Sequence, residues 1–236
     1  MRYDKSLSGL MIIYSIGNFS SKFLSFFFIF FITYFLNKDS IGKYDLILNT
    51  VALIVPLFSL QIGASLYRWL TDNSRKESRS FIFENVFTLL FWCIVTFTLV
   101  FLGLHPVFSF EFSIYIYLIS TLQIVLTVLQ QGLRGMGHTR LYVASGFLYS
   151  VSIILLSVLL FYFFNPVLEG LLIPNTASLF LVIAYLIFRG RFFKYFTFRL
   201  SRELIKSMLR YSLPLMPNGF IWWVIVSANR YIILYF

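Results

Sequence analysis

The sequence predicts an all-α, polytopic membrane protein: a six-helix lobe followed by the start of a second, incomplete lobe. Seven apolar runs of 19 or more residues alternate with short polar loops. About 20 residues at 1.5 Å rise cross the roughly 30 Å hydrocarbon core. A bilayer offers no partners to backbone groups, so each run must be helical. In chain order the runs are Ser8–Leu36, Tyr44–Tyr67, Phe81–Leu104, Phe112–Leu133, Leu141–Phe164, Gly170–Phe188 and Tyr211–Phe236.

Basic residues divide the loops into two classes. Fifteen of the 19 Lys and Arg residues lie in the amino-terminal segment and in the loops after the second, fourth and sixth runs. The opposite loops hold only Lys38 and Lys43. This split predicts a cytoplasmic amino terminus. The net charge of +10 then follows from topology and from attraction to anionic lipid, so it does not call for a nucleic-acid partner.

The same loops suggest a domain division. Residues 1–188 form the first lobe, 189–210 a cytoplasmic linker, and 211–236 the first helix of the second lobe. In the linker, Arg202, Lys206 and Arg210 share one helical face while apolar residues occupy another. This pattern is typical of a helix in the headgroup plane. We interpret it as a surface linker, with a regulatory segment as the alternative.

Some residues within or beside the runs predict local features. Pro56 should kink the second run, and the pair Pro214 and Pro217 should bend or break the seventh. The glycines of 132–137 predict a flexible turn. Five phenylalanines of the first run are expected to face lipid: Phe26, Phe27, Phe28, Phe30 and Phe31.

A polar stripe lies within the first run. Ser15, Asn18, Lys22 and Ser25 are spaced by three or four residues, so they share one face of the helix. A cation in the membrane is costly and is expected to face a cavity or the bundle interior. Snorkelling to the interface is the alternative, but Lys22 lies about 21 Å along the helix from Ser8. The stripe is therefore a candidate cavity lining.

Four further polar residues are candidate cavity-lining positions. Arg230, preceded by Asn229, is deep in the seventh run, where a cavity site and an outer-interface site are equally compatible with the sequence. Gln61 and Gln123 are uncharged and suit either a cavity or interhelical hydrogen bonds.

The sequence gives no support for catalysis. It has no Ser/His/Asp or Cys/His arrangement, no phosphate-binding Gly-rich loop and no metal-ligand spacing, and Cys93 is its one cysteine. Asp45 and Glu84 are expected at helix entrances, which leaves no carboxylate at mid-membrane. We therefore expect a protein that is not an enzyme and that uses no cofactor or metal.

Several segments, in their order and spacing, resemble polysaccharide biosynthesis proteins of the oligosaccharide flippase type, which are relatives of the multidrug and toxic-compound extrusion (MATE) fold. One departure is Asn229, where that family often has Asp. The segments are Ser21–Lys22, Leu36–Leu46, Gln61–Arg68, Arg134–Tyr142, Tyr211–Pro217 and Ala228–Ile232.

The resemblance implies two six-helix lobes around a central cavity, with transport by alternating access. The expected function is export of polyprenyl-diphosphate-linked oligosaccharide for O-antigen, lipopolysaccharide or capsule across a bacterial cytoplasmic membrane. The expected partners are that substrate, membrane lipids and other polysaccharide-assembly proteins. The alternatives are a polymerase or glycosyltransferase of the same pathway, a MATE-like drug exporter, and an inactive truncated remnant.

The topology prediction can be tested by single-cysteine labelling in a Cys93→Ser background. Because the basic residues lie almost entirely on one side, Lys38→Cys should react with an impermeant reagent added outside intact cells. His138→Cys should react only after the cells are opened. Outside labelling at position 138 would overturn the predicted topology.

Overall fold

The computed structural model describes residues 7–72, 78–104, 112–163, 168–197 and 200–235, and these residues contain helices and no β-strand. The all-α prediction is therefore confirmed. The helices are α1 (Leu7–Phe35), α2 (Lys38–Phe58), α3 (Ile62–Thr71), α4 (Arg79–Leu104), α5 (Ser113–Gly135), α6 (Thr139–Phe163), α7 (Glu169–Arg189), α8 (Arg202–Ser212) and α9 (Met216–Tyr235), with 3₁₀ turns at Phe192–Tyr195 and Leu213–Leu215.

Helix length and composition confirm a polytopic membrane protein. Within the described residues, five helices are long and apolar enough to cross a membrane: α2, α4, α5, α6 and α7. Helix α1 has 29 residues, or about 44 Å of length at 1.5 Å per residue, and its part from Lys22 to Phe35 is apolar.

The second apolar run is not one helix, and the predicted start at Tyr44 is wrong. Helix α2 already begins at Lys38 because the Asn37 side chain accepts a hydrogen bond from the Ser40 backbone N–H at 2.8 Å. Lys43 and Asp39 then form an ion pair at 3.1 Å across one turn. The amino-terminal end of α2 is therefore formed by polar residues that precede its apolar part.

The same run breaks before its predicted end. Leu60 and Gln61 both have left-handed backbones, with φ of 47° and 52°, which costs roughly 1–2 kcal/mol for each non-glycine residue. The Gln61 N–H is satisfied by the Ser59 hydroxyl at 3.3 Å. The break lies a few residues after Pro56, so the predicted kink becomes a full interruption between α2 and α3.

Close packing against α5 depends on glycines that the sequence analysis assigned to a flexible turn. Gly132 and Gly135 are the last glycines of the helix itself, and only Gly137, with φ of +78°, belongs to the turn. A Cβ on Gly132 would lie 2.9 Å from the Phe83 ring, and one on Gly135 would lie 2.8 Å from the Leu70 Cβ. Small residues thus allow α3 and α4 to approach α5.

The first helix also corrects a prediction. Phe26, Phe27 and Phe30 are more than half exposed, as expected of lipid-facing side chains. Phe28 is instead 9% exposed, and Phe31 stacks on Phe161 of α6 at 5.6 Å between ring centroids. Phe28 and Phe31 therefore belong to the α1–α6 interface, where the protein is as apolar as the lipid.

The carboxyl-terminal helix packs back on α2. The Trp223 indole N–H donates to the Asn49 carbonyl at 2.8 Å, and Gly219 sits beside Pro56, where a Cβ would lie 2.9 Å from the proline Cβ. Helix α8 fills the second half of the predicted linker and is joined to α9 by the 3₁₀ turn containing Pro214. The division into residues 1–188, 189–210 and 211–236 stays a prediction.

Replacing Gly135 by Ala should lower the free energy of unfolding by about 1–3 kcal/mol, the usual range for overpacking. The added methyl group meets the Cβ of Leu70, which cannot rotate away. Thermal unfolding in detergent measures the effect. The control is Gly103→Ala, whose methyl group has open space; an equal loss in both variants would contradict the packing argument.

Candidate functional site

The predicted polar stripe lies on a flank of α1. The packed face of this helix carries Phe28 and Ile32, both buried. At 100° per residue, the stripe falls beside that face, and Ser15, Lys22 and Ser25 are exposed. The side chain of Asn18 lies outside the described residues. The stripe is thus neither in the core nor opposite it.

A cleft opens next to this flank. It has a volume of about 380 Å³ and lies between α1, α2 and α6. Apolar and polar side chains line it in nearly equal numbers, with six polar residues among thirteen. The polar residues are Ser25 and Thr33 of α1, Tyr44 and Asp45 of α2, and Tyr149 and Ser150 of α6.

A hydrogen-bonded triad fixes the inner side of the cleft. The Tyr149 hydroxyl donates to the Asn175 Oδ1 at 2.9 Å, and the Asn175 Nδ2 donates to the Tyr44 hydroxyl at 3.3 Å. Asn175 is 1% exposed and belongs to α7. The triad therefore joins α2, α6 and α7, and it places two tyrosine hydroxyls at the edge of the cleft.

Asp45 does not lie where the sequence predicted it. It was expected at a helix entrance, but α2 begins seven residues earlier at Lys38, so Asp45 lies about 10 Å inside the helix. Its half-buried side chain lines the cleft. The Asn37 cap and the Asp39–Lys43 pair were the sequence signals that could have located it.

Among the predicted site residues with described side chains, Gln61 and Gln123 do not line the cleft. Gln61 is at the α2–α3 break, where its Nε2 would lie 3.1 Å from a Cβ on Gly219. Gln123 is in α5, and its backbone carbonyl accepts a hydrogen bond from the Thr127 hydroxyl at 2.7 Å. Asn229 and Arg230 are helical residues of α9 whose side chains lie outside the described residues. Of the predicted residues whose side chains are described, Ser25 lines the cleft, and Lys22 and Ser15 lie on the same flank of α1.

Two arginines form contacts that the sequence analysis did not foresee. The Arg134 guanidinium lies between the Tyr67 and Tyr142 rings, at 5.1 and 5.3 Å from their centroids. Arg68 lies 4.3 Å from the centroid of the Tyr211 ring. These cation–π contacts join α3 to α5, α6 and α8. We interpret them as anchors of the helix ends.

No group of His, Cys, Asp and Glu within the described residues is arranged to hold a metal ion. The geometry offers a narrow polar cleft, a nearby exposed cation and a rigid tyrosine–asparagine triad. Such an arrangement can bind and orient a ligand by charge and hydrogen bonds.

The fold is similar to that of part of a solved membrane transporter. The chain resembles a solved structure described as the outward-facing conformation of a multidrug resistance MATE family transporter of the MOP superfamily, with a TM-score of 0.59 and 16% identity. The match covers 89% of this chain and 50% of that transporter, so the chain spans about half the transporter's length. At this identity the likeness shows the fold.

The family is defined by sequence. Residues 10–236 match the polysaccharide biosynthesis protein family, and the chain belongs to that family. The family resemblance and the MATE-like fold expected from the sequence are therefore confirmed. No protein of curated function matches the chain significantly.

A double-mutant cycle tests the triad. Tyr149→Phe and Asn175→Leu should each destabilise the protein, and the double variant should lose less than the sum, with a coupling of about 0.6–2 kcal/mol typical of hydrogen bonds between membrane helices. Pairing Tyr149→Phe with Thr98→Val is the control, because Thr98 bonds to Tyr117 instead and should be additive. Additivity in the first cycle would show that the hydrogen bond contributes nothing measurable.

Proposed function

We propose that this chain forms half of a flippase that moves a polyprenyl-diphosphate-linked oligosaccharide across a bacterial cytoplasmic membrane. The family description supports a role in polysaccharide biosynthesis, and the fold supports a membrane exporter. The observation that carries the substrate class is the exposed Lys22 on the flank of the polar cleft. We also propose a cytoplasmic amino terminus and a non-enzymatic role.

Lys22 is suited to an anionic headgroup by its depth and by its surroundings. It lies fifteen residues into α1, or about 22 Å along the axis, where a cation is costly unless it meets water or an anion. Among the described side chains it has no acidic partner. A diphosphate would supply the negative charge that Lys22 lacks as a partner. The hydroxyls of the cleft would form hydrogen bonds with sugar groups.

The helices that border the cleft differ in how firmly they are joined to one another. Helix α1 borders it on one side and packs mainly on α6, whereas α2 and α6 are joined through Asn175. In our proposal the joined helices stay fixed while the flank of α1 meets the headgroup. The remaining half of the transporter would complete the cavity.

A second candidate is export of an organic cation, as in a MATE-like drug exporter. Asp45 favours it, because a half-buried carboxylate in the cleft attracts positive charge. The two candidate functions can be distinguished by Lys22 and Asp45. A flippase for an anionic headgroup depends on Lys22, whereas a cation exporter depends on Asp45.

The experiment measures surface polysaccharide in cells that lack the native gene and carry the genomic reading frame of this protein. Lys22→Ala should abolish polysaccharide at the surface with little loss of inserted protein, because the anion loses its counter-charge. Lys22→Arg should retain a measurable part, since the charge remains while the geometry changes. Asp45→Asn should have the smaller effect.

Thiol labelling provides a second readout. In a Cys93→Ser background, Lys22→Cys should react with a small aqueous reagent, and Phe27→Cys, an exposed position on the other flank of α1, should be protected by lipid. Normal polysaccharide in Lys22→Ala, or an unreactive thiol at position 22, would reduce Lys22 to a snorkelling anchor. Normal polysaccharide in both Lys22→Ala and Asp45→Asn, together with lost resistance to an organic cation in Asp45→Asn, would favour the cation exporter.

A further inference from the structure

We propose that a groove between α4 and α8 binds an anionic phospholipid of the surrounding bilayer. The groove has a volume of about 750 Å³. Leu89 and Trp92 of α4 form one wall. The other wall is α8, which contributes Arg202, Lys206 and Arg210.

The three basic residues form a compact positive surface. They are all exposed and lie one helical turn apart, so the row from Arg202 to Arg210 covers about 12 Å. Within the described residues none of the three forms a salt bridge, and the exposed Glu203 of the same helix does not pair with them. Cations near a membrane surface without acidic partners attract anionic lipid.

The rest of the groove is apolar, which identifies the ligand as a lipid rather than a free phosphate. Ile205, Leu209 and Leu213 line it together with Leu89 and Trp92. Trp92 is 54% exposed, although its helix is apolar enough to span the membrane. A phospholipid satisfies both parts of the groove, because its headgroup meets the cations while its acyl chain covers the apolar wall.

The groove is preformed because the other face of α8 is anchored. Leu204 and Met208 are 4% and 1% exposed. The Ser201 N–H donates to the Asn85 Oδ1 of α4 at 2.6 Å, immediately before α8 begins. The basic row therefore cannot turn inward, and α8 is more than the plain linker that the sequence suggested.

The position of the groove separates this ligand from the transported substrate. The polar cleft lies between α1, α2 and α6, whereas the groove is formed by α4 and α8 with no shared helix. The proposal therefore goes beyond the proposed function. It can be tested by lipid binding alone, whatever the protein transports.

Tryptophan quenching gives a direct test, because Trp92 lines the groove. The purified protein is placed in phosphatidylcholine nanodiscs containing a minor fraction of brominated phosphatidylglycerol or brominated phosphatidylcholine. The quenching that is absent from Trp92→Phe isolates the signal of this residue. We expect phosphatidylglycerol to be preferred at Trp92 by about five-fold or more, the factor contributed by one cation near an anionic surface.

Variants locate the effect. The triple substitution Arg202→Gln, Lys206→Gln, Arg210→Gln should remove the preference for phosphatidylglycerol. Lys206→Gln alone should give an intermediate preference, and this single variant tests the groove even if the triple variant does not fold. The matched control removes three exposed charges that do not line the groove. It carries Arg140→Gln, Arg189→Gln and Lys194→Gln and should keep the preference.

Three results would overturn the proposal. Equal quenching of wild-type Trp92 by the two lipids would show that the groove does not select charge. Equal loss in both triple variants would assign the preference to the overall surface charge. Displacement of brominated phosphatidylglycerol by polyprenyl diphosphate at lower concentration than by unlabelled phosphatidylglycerol would make the lipid-linked substrate the occupant instead.

Discussion

Within a bilayer, every backbone N–H and C=O group needs a partner inside the protein, because the hydrocarbon supplies none. This constraint explains why the described chain is helical, and it also explains the form of its one interrupted span. At the α2–α3 break, the Gln61 N–H donates to the Ser59 hydroxyl, the Leu60 N–H donates to the Leu57 carbonyl, and the Gln61 carbonyl accepts from the Ala64 N–H. The break is also covered by Gly219 of α9. The interruption is tolerated because protein groups supply its hydrogen-bond partners.

The polar triad has a different energetic character. Tyr44, Tyr149 and Asn175 could be replaced by apolar residues without loss of burial, and membrane hydrogen bonds contribute little net stability. Their value is in geometry, because a buried amide with two tyrosine partners fits only one arrangement of α2, α6 and α7. The cleft beside the triad therefore has defined walls on the side of α2 and α6, although about half of its lining is apolar.

The sequence predicted the architecture well because the bilayer imposes length and polarity on each span. It predicted the site less well for two physical reasons. Lipid and protein interior are equally apolar, so nothing in the first run distinguished Phe28, which packs on α6, from Phe27, which does not. The left-handed backbone at Leu60 and Gln61 was not predictable, because neither residue is a glycine. The Tyr149–Asn175 hydrogen bond was not predictable either, because it depends on how helices distant in sequence pack. The Asn37 cap, by contrast, can be recognised in the sequence, and it places Asp45 about two turns inside α2.

The hydrogen bond between Trp223 and Asn49 joins residues 174 positions apart, which has a consequence for biogenesis. At roughly 5–20 residues per second, a ribosome makes the second partner about 9–35 s after the first. During that interval, the face of α2 that will receive α9 is exposed to lipid or to the insertion machinery while four further spanning helices arrive. The carbonyl of Asn49 tolerates the delay because it lies within a helix. The packing of α9 on α2 is thus a late step of synthesis, after the rest of the described bundle has been inserted.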